Sequence, residues 1–234
     1  TTAAGNTAVG YASLEENTEG ASNTGIGYKA LEANTTASAN TALGYEAGNA
    51  LTTGAGNVAV GYEALKTEDG HGNNTAVGYR ALKDLNAGAT GNNSVLGYNA
   101  GANITTGIKN TLIGSLAGDA TTDADENVAV GYDALGTNTL GSHSVAIGPS
   151  ALRSQNYGSA TNSYNTAVGS FAGYAVTTGT NLTLIGGQAG DALTEGVNNV
   201  AVGNLSLTTD TKGGRNTAVG YATLQTQNFT SATN

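Results

Sequence analysis

The 234-residue chain has no cysteine, no methionine and no tryptophan, and a single proline. Without cysteine there are no disulfides and no thiolate metal ligands. Basic residues are scarce: 8 Lys and Arg stand against 17 Asp and Glu, a net charge of -9. No basic stripe is available to neutralise phosphates, so nucleic acid and anionic membrane surfaces are excluded as expected partners. No apolar run approaches the roughly 20 residues that a membrane-spanning helix needs, so no membrane insertion by this segment is expected. Charged residues make up 11% of the chain, well below the usual share of about a quarter. A missing initiator methionine and the lack of a signal peptide lead to the expectation of an excised or processed chain.

What the chain has in excess is glycine, 36 residues, and repetition. "NTAVGYASL" at Asn6 returns as "NTGIGYKAL" at Asn23, "NTALGYEAG" at Asn40, "NVAVGYEAL" at Asn57 and "NTAVGYRAL" at Asn74. The glycine of this motif occurs thirteen times, from Gly10 to Gly220, at a spacing of 17. The exceptions are 19 between Gly78 and Gly97 and 21 between Gly148 and Gly169. Residues 1–234 therefore read as one repeat domain, with insertions near 83–92 and 153–164.

Numbering each repeat from its Asn gives a position-specific code. Slot 1 is Asn in eleven repeats, slot 5 is always Gly, and slot 8 is always Ala, Ser or Thr. Slot 4 is always Val, Ile or Leu. Its members are the expected structural core: Val9, Ile26, Leu43, Val60, Val77, Leu96, Ile113, Val130, Ile147, Val168, Ile185, Val202 and Val219. Eight repeats carry Leu at slot 9, and seven of those have a polar residue at slot 12. The other five have Gly at slot 9 (Gly48, Gly101, Gly118, Gly173, Gly190) and Leu51, Ile104, Thr121, Val176 or Leu193 at slot 12. Two backbone positions that fill one fixed volume would alternate in this way.

Slots 2 to 6 alternate larger residues with small ones, the period of a strand. Slots 7 to 12 have room for a second short strand, and the Thr-, Gly- and Asn-rich slots 13 to 17 carry turn chemistry. The expected fold is all-β, a β-solenoid or β-roll of thirteen 17-residue coils stacked by strand pairing. The core of such a coil is thin, and the small residues at slots 3 and 5 leave one strand face nearly bare. Both features point to close approach by further copies of the chain.

"HSVAIG" (His143 to Gly148), "NVAVG" (Asn127 to Gly131) and the longer "NTAVGYxAL" register resemble the head repeats of trimeric autotransporter adhesins. They are also similar to repeat regions of phage and bacterial tail-fibre proteins. The resemblance covers nearly the whole chain, although adhesin heads commonly use a shorter repeat. It implies a left-handed coil, a parallel homotrimer, and an extracellular place on a bacterial surface or a phage virion. It also implies a role in extending and presenting a surface to a cell-surface glycan or protein receptor. A monomeric ice-binding or glycan-binding solenoid is the alternative.

Candidate receptor-binding residues are the slot 6 tyrosines Tyr11, Tyr28, Tyr45, Tyr62, Tyr79 and Tyr98, together with Tyr157 and Tyr164 in the second insertion. The slot 6 column reads either as an aromatic platform for sugar rings or as a packing ladder, and the ladder is preferred. The slot 1 Asn column and the slot 13 Thr column read as hydrogen-bonding devices of the turns rather than as ligand or ice surfaces. His71 and His143 lie in different coils without paired ligands at zinc spacing. "TDADE" (Thr122 to Glu126) lacks the ligand spacing of a calcium loop. "GGQAG" at Gly186 lacks the helix that a phosphate loop needs. No Ser–His–Asp set or paired carboxylates emerge, so neither enzymatic activity, a cofactor nor a metal is expected.

Overall fold

A computed structural model of the chain describes residues 3–229 and 231. It is a parallel β-solenoid of about thirteen coils, and the described residues contain no helix. No helix is therefore long and apolar enough to cross a membrane. The chain divides into two compact units, Thr1–Ser115 and Leu116–Asn234.

In the first unit the strands are β1 (Thr7–Val9), β2 (Thr24–Ile26), β3 (Thr41–Leu43), β4 (Val58–Val60), β5 (Thr75–Val77), β6 (Ser94–Leu96) and β7 (Thr111–Ile113). Each pairs in parallel with the next, slot on slot, as in Thr41↔Val58 and Leu43↔Val60. The second unit holds β8 (Val128–Val130), β10 (Val145–Ile147), β12 (Thr166–Val168), β13 (Thr183–Ile185), β14 (Val200–Val202) and β15 (Thr217–Val219), paired in the same way. A short extra pair joins β9 (Gly141–Ser142) to β11 (Thr161–Asn162), the latter supplied by the second insertion.

Slot 5 ends each strand. Its glycines have φ between 122° and 149°. A side chain on Gly61 would overlap the carbonyl oxygen of Gly78 in the next coil. Glycine is required twice over, by conformation and by space. Beyond it, the second strand expected at slots 7 to 12 is absent: the chain makes a run of turns there. Slots 7, 9 and 17 all take positive φ, in thirty-two non-glycine residues with φ from 47° to 63°. Such alternation breaks strand geometry but leaves peptide groups free to bond along the stack. The slot 7 N–H of Glu46 donates to Tyr28 O at 2.8 Å, and the slot 9 N–H of Leu31 donates to Ala47 O at 3.1 Å.

The interior also differs from expectation. None of the thirteen slot 4 residues (Val9, Ile26, Leu43, Val60, Val77, Leu96, Ile113, Val130, Ile147, Val168, Ile185, Val202, Val219) is buried within the chain; eight are exposed and five half-buried. It is slot 3 that points inward: Ala42, Ala76 and Ala129 are fully buried. The coil is too narrow for more. A side chain on Gly25, at slot 3, would press on the Ser13 hydroxyl and the Leu14 side chain of slots 8 and 9. The small-residue face is thus the inside of the coil, not the surface offered to another chain.

The volume left is filled from slots 9 and 12, as the sequence implies. Leu31, Leu65, Leu82, Leu135 and Leu152 supply it from slot 9, and Leu51, Ile104 and Leu193 from slot 12, all wholly buried. A side chain on Gly48 would come within 3.0 Å of Leu51 Cδ1 and 3.1 Å of Leu31 Cδ2, so the two slots do share one space. Each such leucine contributes about 1.5–3 kcal/mol. Slot 3 takes part in the exchange too. It is enlarged at Val95, Leu112 and Leu184, all in coils whose slot 9 is Gly.

Candidate functional site

The described residues enclose no pocket. Two columns stand out. The first is slot 4. Leu43 keeps 47% of its surface exposed and Leu96 52%, whereas their inward neighbours Ala42 and Val95 keep 0% and 1%. Successive side chains of the column sit one strand spacing apart, about 4.8 Å. Slot 2, on the same face, is Thr, Val or Ser and is half-buried or exposed. Each compact unit therefore carries a continuous stripe of branched apolar side chains at slot 4, flanked by the Thr, Val and Ser of slot 2.

The second column is slot 6 in the first unit. Tyr11, Tyr28, Tyr45, Tyr62, Tyr79 and Tyr98 stack with ring centroids 5.0–5.3 Å apart and planes within 13° of parallel. The rings pack on each other, so the inner members present edges and hydroxyls to solvent rather than faces. A sugar ring stacks on a face. The ladder reading therefore holds for the four inner tyrosines, and only the outermost rings have a face not covered by another tyrosine of the stack.

Charges flank this ladder at slots 7 and 10. Lys66 Nζ lies 2.6 Å from Glu46 Oε2 and 2.9 Å from Glu63 Oε1, and Arg80 Nε lies 2.8 Å from Glu63 Oε2. The Glu46 and Glu63 carboxylates hold the Lys66 ammonium well above the usual lysine range. The Arg80 guanidinium also sits over Tyr79, 5.2 Å from the ring centroid. In the second unit Arg153 pairs with Asp133 and approaches Tyr174.

The two insertions have exposed tips at Gly88–Thr90 and Gly158–Ala160, but the aromatic residue expected to present itself in the second turns inward. Tyr157 is buried: its hydroxyl donates to Gly179 O at 2.7 Å and accepts from Asn165 Nδ2 at 3.2 Å. Burial pushes its phenol up to about 12. Tyr157 plugs the lengthened turn and is not available to a receptor. Tyr164 is exposed and lies beside the His143 ring, with centroids 5.3 Å apart.

The polar columns are spent on the scaffold. Along slot 1, Asn40 Oδ1 accepts the Asn57 N–H at 2.8 Å while Asn40 Nδ2 donates to Gly54 O at 2.8 Å. Along slot 13 the Thr35 hydroxyl donates to Thr52 O at 3.2 Å, a carbonyl that also receives the N–H groups of Thr35, Thr36 and Ala37. Hydroxyls committed in this way do not form a free array for ice.

The expectation that neither histidine has ligands at metal spacing does not hold for His71, whose own turn places acids beside it. Among the described residues one group brings three metal-ligating side chains within 4.8 Å of each other: Glu68, Asp69 and His71. Slots 12, 13 and 15 of a single turn carry them. The signal available in the sequence was that this repeat alone has charged or imidazole residues at all three slots. "TDADE" does not gather its acids in this manner.

Comparison with family models, with curated proteins and with solved structures finds no match.

Proposed function

We propose that this chain is a structural segment of an extracellular fibre or adhesin, which extends from a bacterial surface or phage tail and presents a surface to a host or cell-surface receptor. It has no catalytic role in this reading, and its coils are left-handed. It assembles with itself along the strand face, as a parallel homotrimer. The observation that carries this reading is the slot 4 column: thirteen Val, Ile or Leu side chains that the chain itself does not bury. A surface residue under no packing constraint would not be held to three branched apolar types through thirteen repeats. Burial of that stripe against copies of itself supplies the apolar area that the narrow interior lacks. The number three and the handedness rest on the resemblance of the repeats to adhesin heads and tail fibres. Receptor contact, to a glycan or a protein, then falls to the exposed tyrosine edges and the Tyr164 turn.

The test is the mass in solution by light scattering after size exclusion. A particle three times the 23.0 kDa chain mass supports the reading. A stable single chain at micromolar concentration overturns it and leaves the lone solenoid as the alternative.

A further inference from the structure

We propose that Glu68, Asp69 and His71 form a binding site for a divalent transition-metal ion of the zinc type. The site lies at one turn and is separate from the columns described above.

The first argument is distance. Glu68 Oε1 lies 3.2 Å from His71 Nδ1. A charge-assisted hydrogen bond between these atoms would close to about 2.7–2.9 Å. Zinc bonds nitrogen and oxygen at about 2.0–2.2 Å, which puts two ligands of one tetrahedral ion roughly 3.3–3.5 Å apart. The observed gap sits at the upper limit of an N–H···O hydrogen bond, and a small widening brings the two atoms to the spacing of ligands on one ion.

The second argument is the way the turn holds Glu68. At slot 12 a polar side chain ordinarily reaches the slot 15 N–H, as Asn138 Oδ1 accepts from Gly141 at 3.1 Å. Glu68 Oε1 accepts from the His71 N–H in the same way at 2.9 Å, so the carboxylate is fixed by the main chain before any ligand arrives. Slot 15 elsewhere is Gly, Ala or Thr, and at Gly20, Gly54, Gly179 and Gly196 the next coil's carbonyl stands where a side chain would go. The coil after His71 has the turn lengthened by two residues, and its Ala87 N–H reaches Glu68 Oε2 at 3.1 Å. That is the one place in the first unit where an imidazole at slot 15 meets a lengthened neighbour.

The third argument compares two wholly buried carboxylates in the same slot, Glu68 and Asp210. Asp210 receives four donors, from the N–H groups of Gly213 and Phe229 and the side-chain amides of Asn216 and Gln227. Glu68 has two main-chain N–H groups and the His71 ring. Among the described residues no lysine or arginine pairs with either carboxylate, so the contrast is that Asp210 has four donors and Glu68 three, one of them an imidazole. A buried carboxylate without a cation is strongly penalised. An ion held jointly by Glu68, the more exposed Asp69 and His71 supplies the missing charge. One imidazole nitrogen with two carboxylates suits zinc and its neighbours, whereas calcium takes six to eight oxygens. Asp69 and the partly exposed His71 leave the site open to solvent, with a coordination position for water.

The experiment is equilibrium dialysis of the whole chain against Zn²⁺ alone, with His71→Ala, Asp69→Asn and His143→Ala variants alongside. Expected is about one Zn²⁺ per chain for the unaltered protein and for His143→Ala, weakened more than about tenfold by His71→Ala and by Asp69→Asn. Asp69→Asn keeps the main-chain carbonyl that receives the Thr52 and Thr53 N–H groups, so it preserves the turn if His71→Ala does not. No zinc on the unaltered chain, or unchanged binding in a folded His71→Ala or Asp69→Asn variant, overturns the proposal. Binding counted per chain is independent of particle mass, so this inference and the fibre reading can fail separately.

Discussion

Ala129 and Val130 are neighbours on β8 and occupy opposite worlds: the first is wholly buried and the second half-open to solvent. The contrast repeats at slots 3 and 4 in every coil but the first, where Ala8 is exposed. Inside, side-chain size is limited by the opposite wall of the same coil. Outside, nothing in the chain limits size, yet the residues remain branched and apolar. The inner face explains how a coil closes. The outer face is unexplained by the single chain, and this makes it the informative one.

The sharpest way to break the contrast is at the strand end shared by both faces. Gly61→Val combines a φ of +133° with overlap on the Gly78 carbonyl. It should cost more than about 4 kcal/mol and abolish cooperative folding, as read by urea denaturation followed by circular dichroism. Overpacking comes next. Ala129→Leu should destabilise by about 1–3 kcal/mol in the same assay. Ala42→Val should be milder, because Gly48 at slot 9 leaves its coil room.

Tyr157 tests a filled interior by pH. Its folded phenol, raised to about 12 from an ordinary 10.0, stays neutral while the unfolded chain's ionises. Its stabilising contribution is therefore complete below pH 10 and is lost as pH rises through 12. Tyr157→Phe should flatten that part of the stability–pH curve, and an unchanged curve would count against a buried phenol. Smaller still is Tyr62→Ala, which removes one rung from an exposed stack and should cost about 0.5–1.5 kcal/mol. Leu43→Asp with Leu96→Asp should alter the coil least: the circular dichroism spectrum persists while the particle mass falls toward that of one chain. Loss of the spectrum would mean that the outer face is part of the coil's own core.

Much of this architecture was legible from the repeat alone. The 17-residue period, the Gly column, the Asn and Thr ladders and the exchange between slots 9 and 12 all follow from residue type at fixed spacing. The parity of the strand did not. Alternation tells which residues share a face but not which face is inside, and a one-residue shift exchanges the two. Large residues were assigned inward by habit of globular cores. A contrary signal was present at Val95, Leu112 and Leu184: slot 3 enlarges only where slot 9 is Gly, so slot 3 must face slot 9. The turn at slots 7 to 12 was hidden for another reason. Positive φ usually selects Gly or Asn, but slot 7 holds residues as different as Lys29, Glu63, Arg80 and Phe171. Stacking imposes that conformation; the residues do not choose it. Tyr157 looked like a presenting loop because the carbonyl that receives its hydroxyl, at Gly179, lies 22 residues away in the next coil.

Those thirty-two left-handed residues bear on how the chain is built as well as how it stands. Each departs from its preferred backbone region by about 1–2 kcal/mol, so a single coil has no reason to exist in solution. A new coil becomes favourable only when its N–H and carbonyl groups meet an edge already in place. Growth then proceeds as at the face of a crystal, one layer copied from the last, with a slow first layer and fast successors. The same rule makes errors local: a coil that cannot copy its predecessor stops the growth at that point and leaves an open edge there.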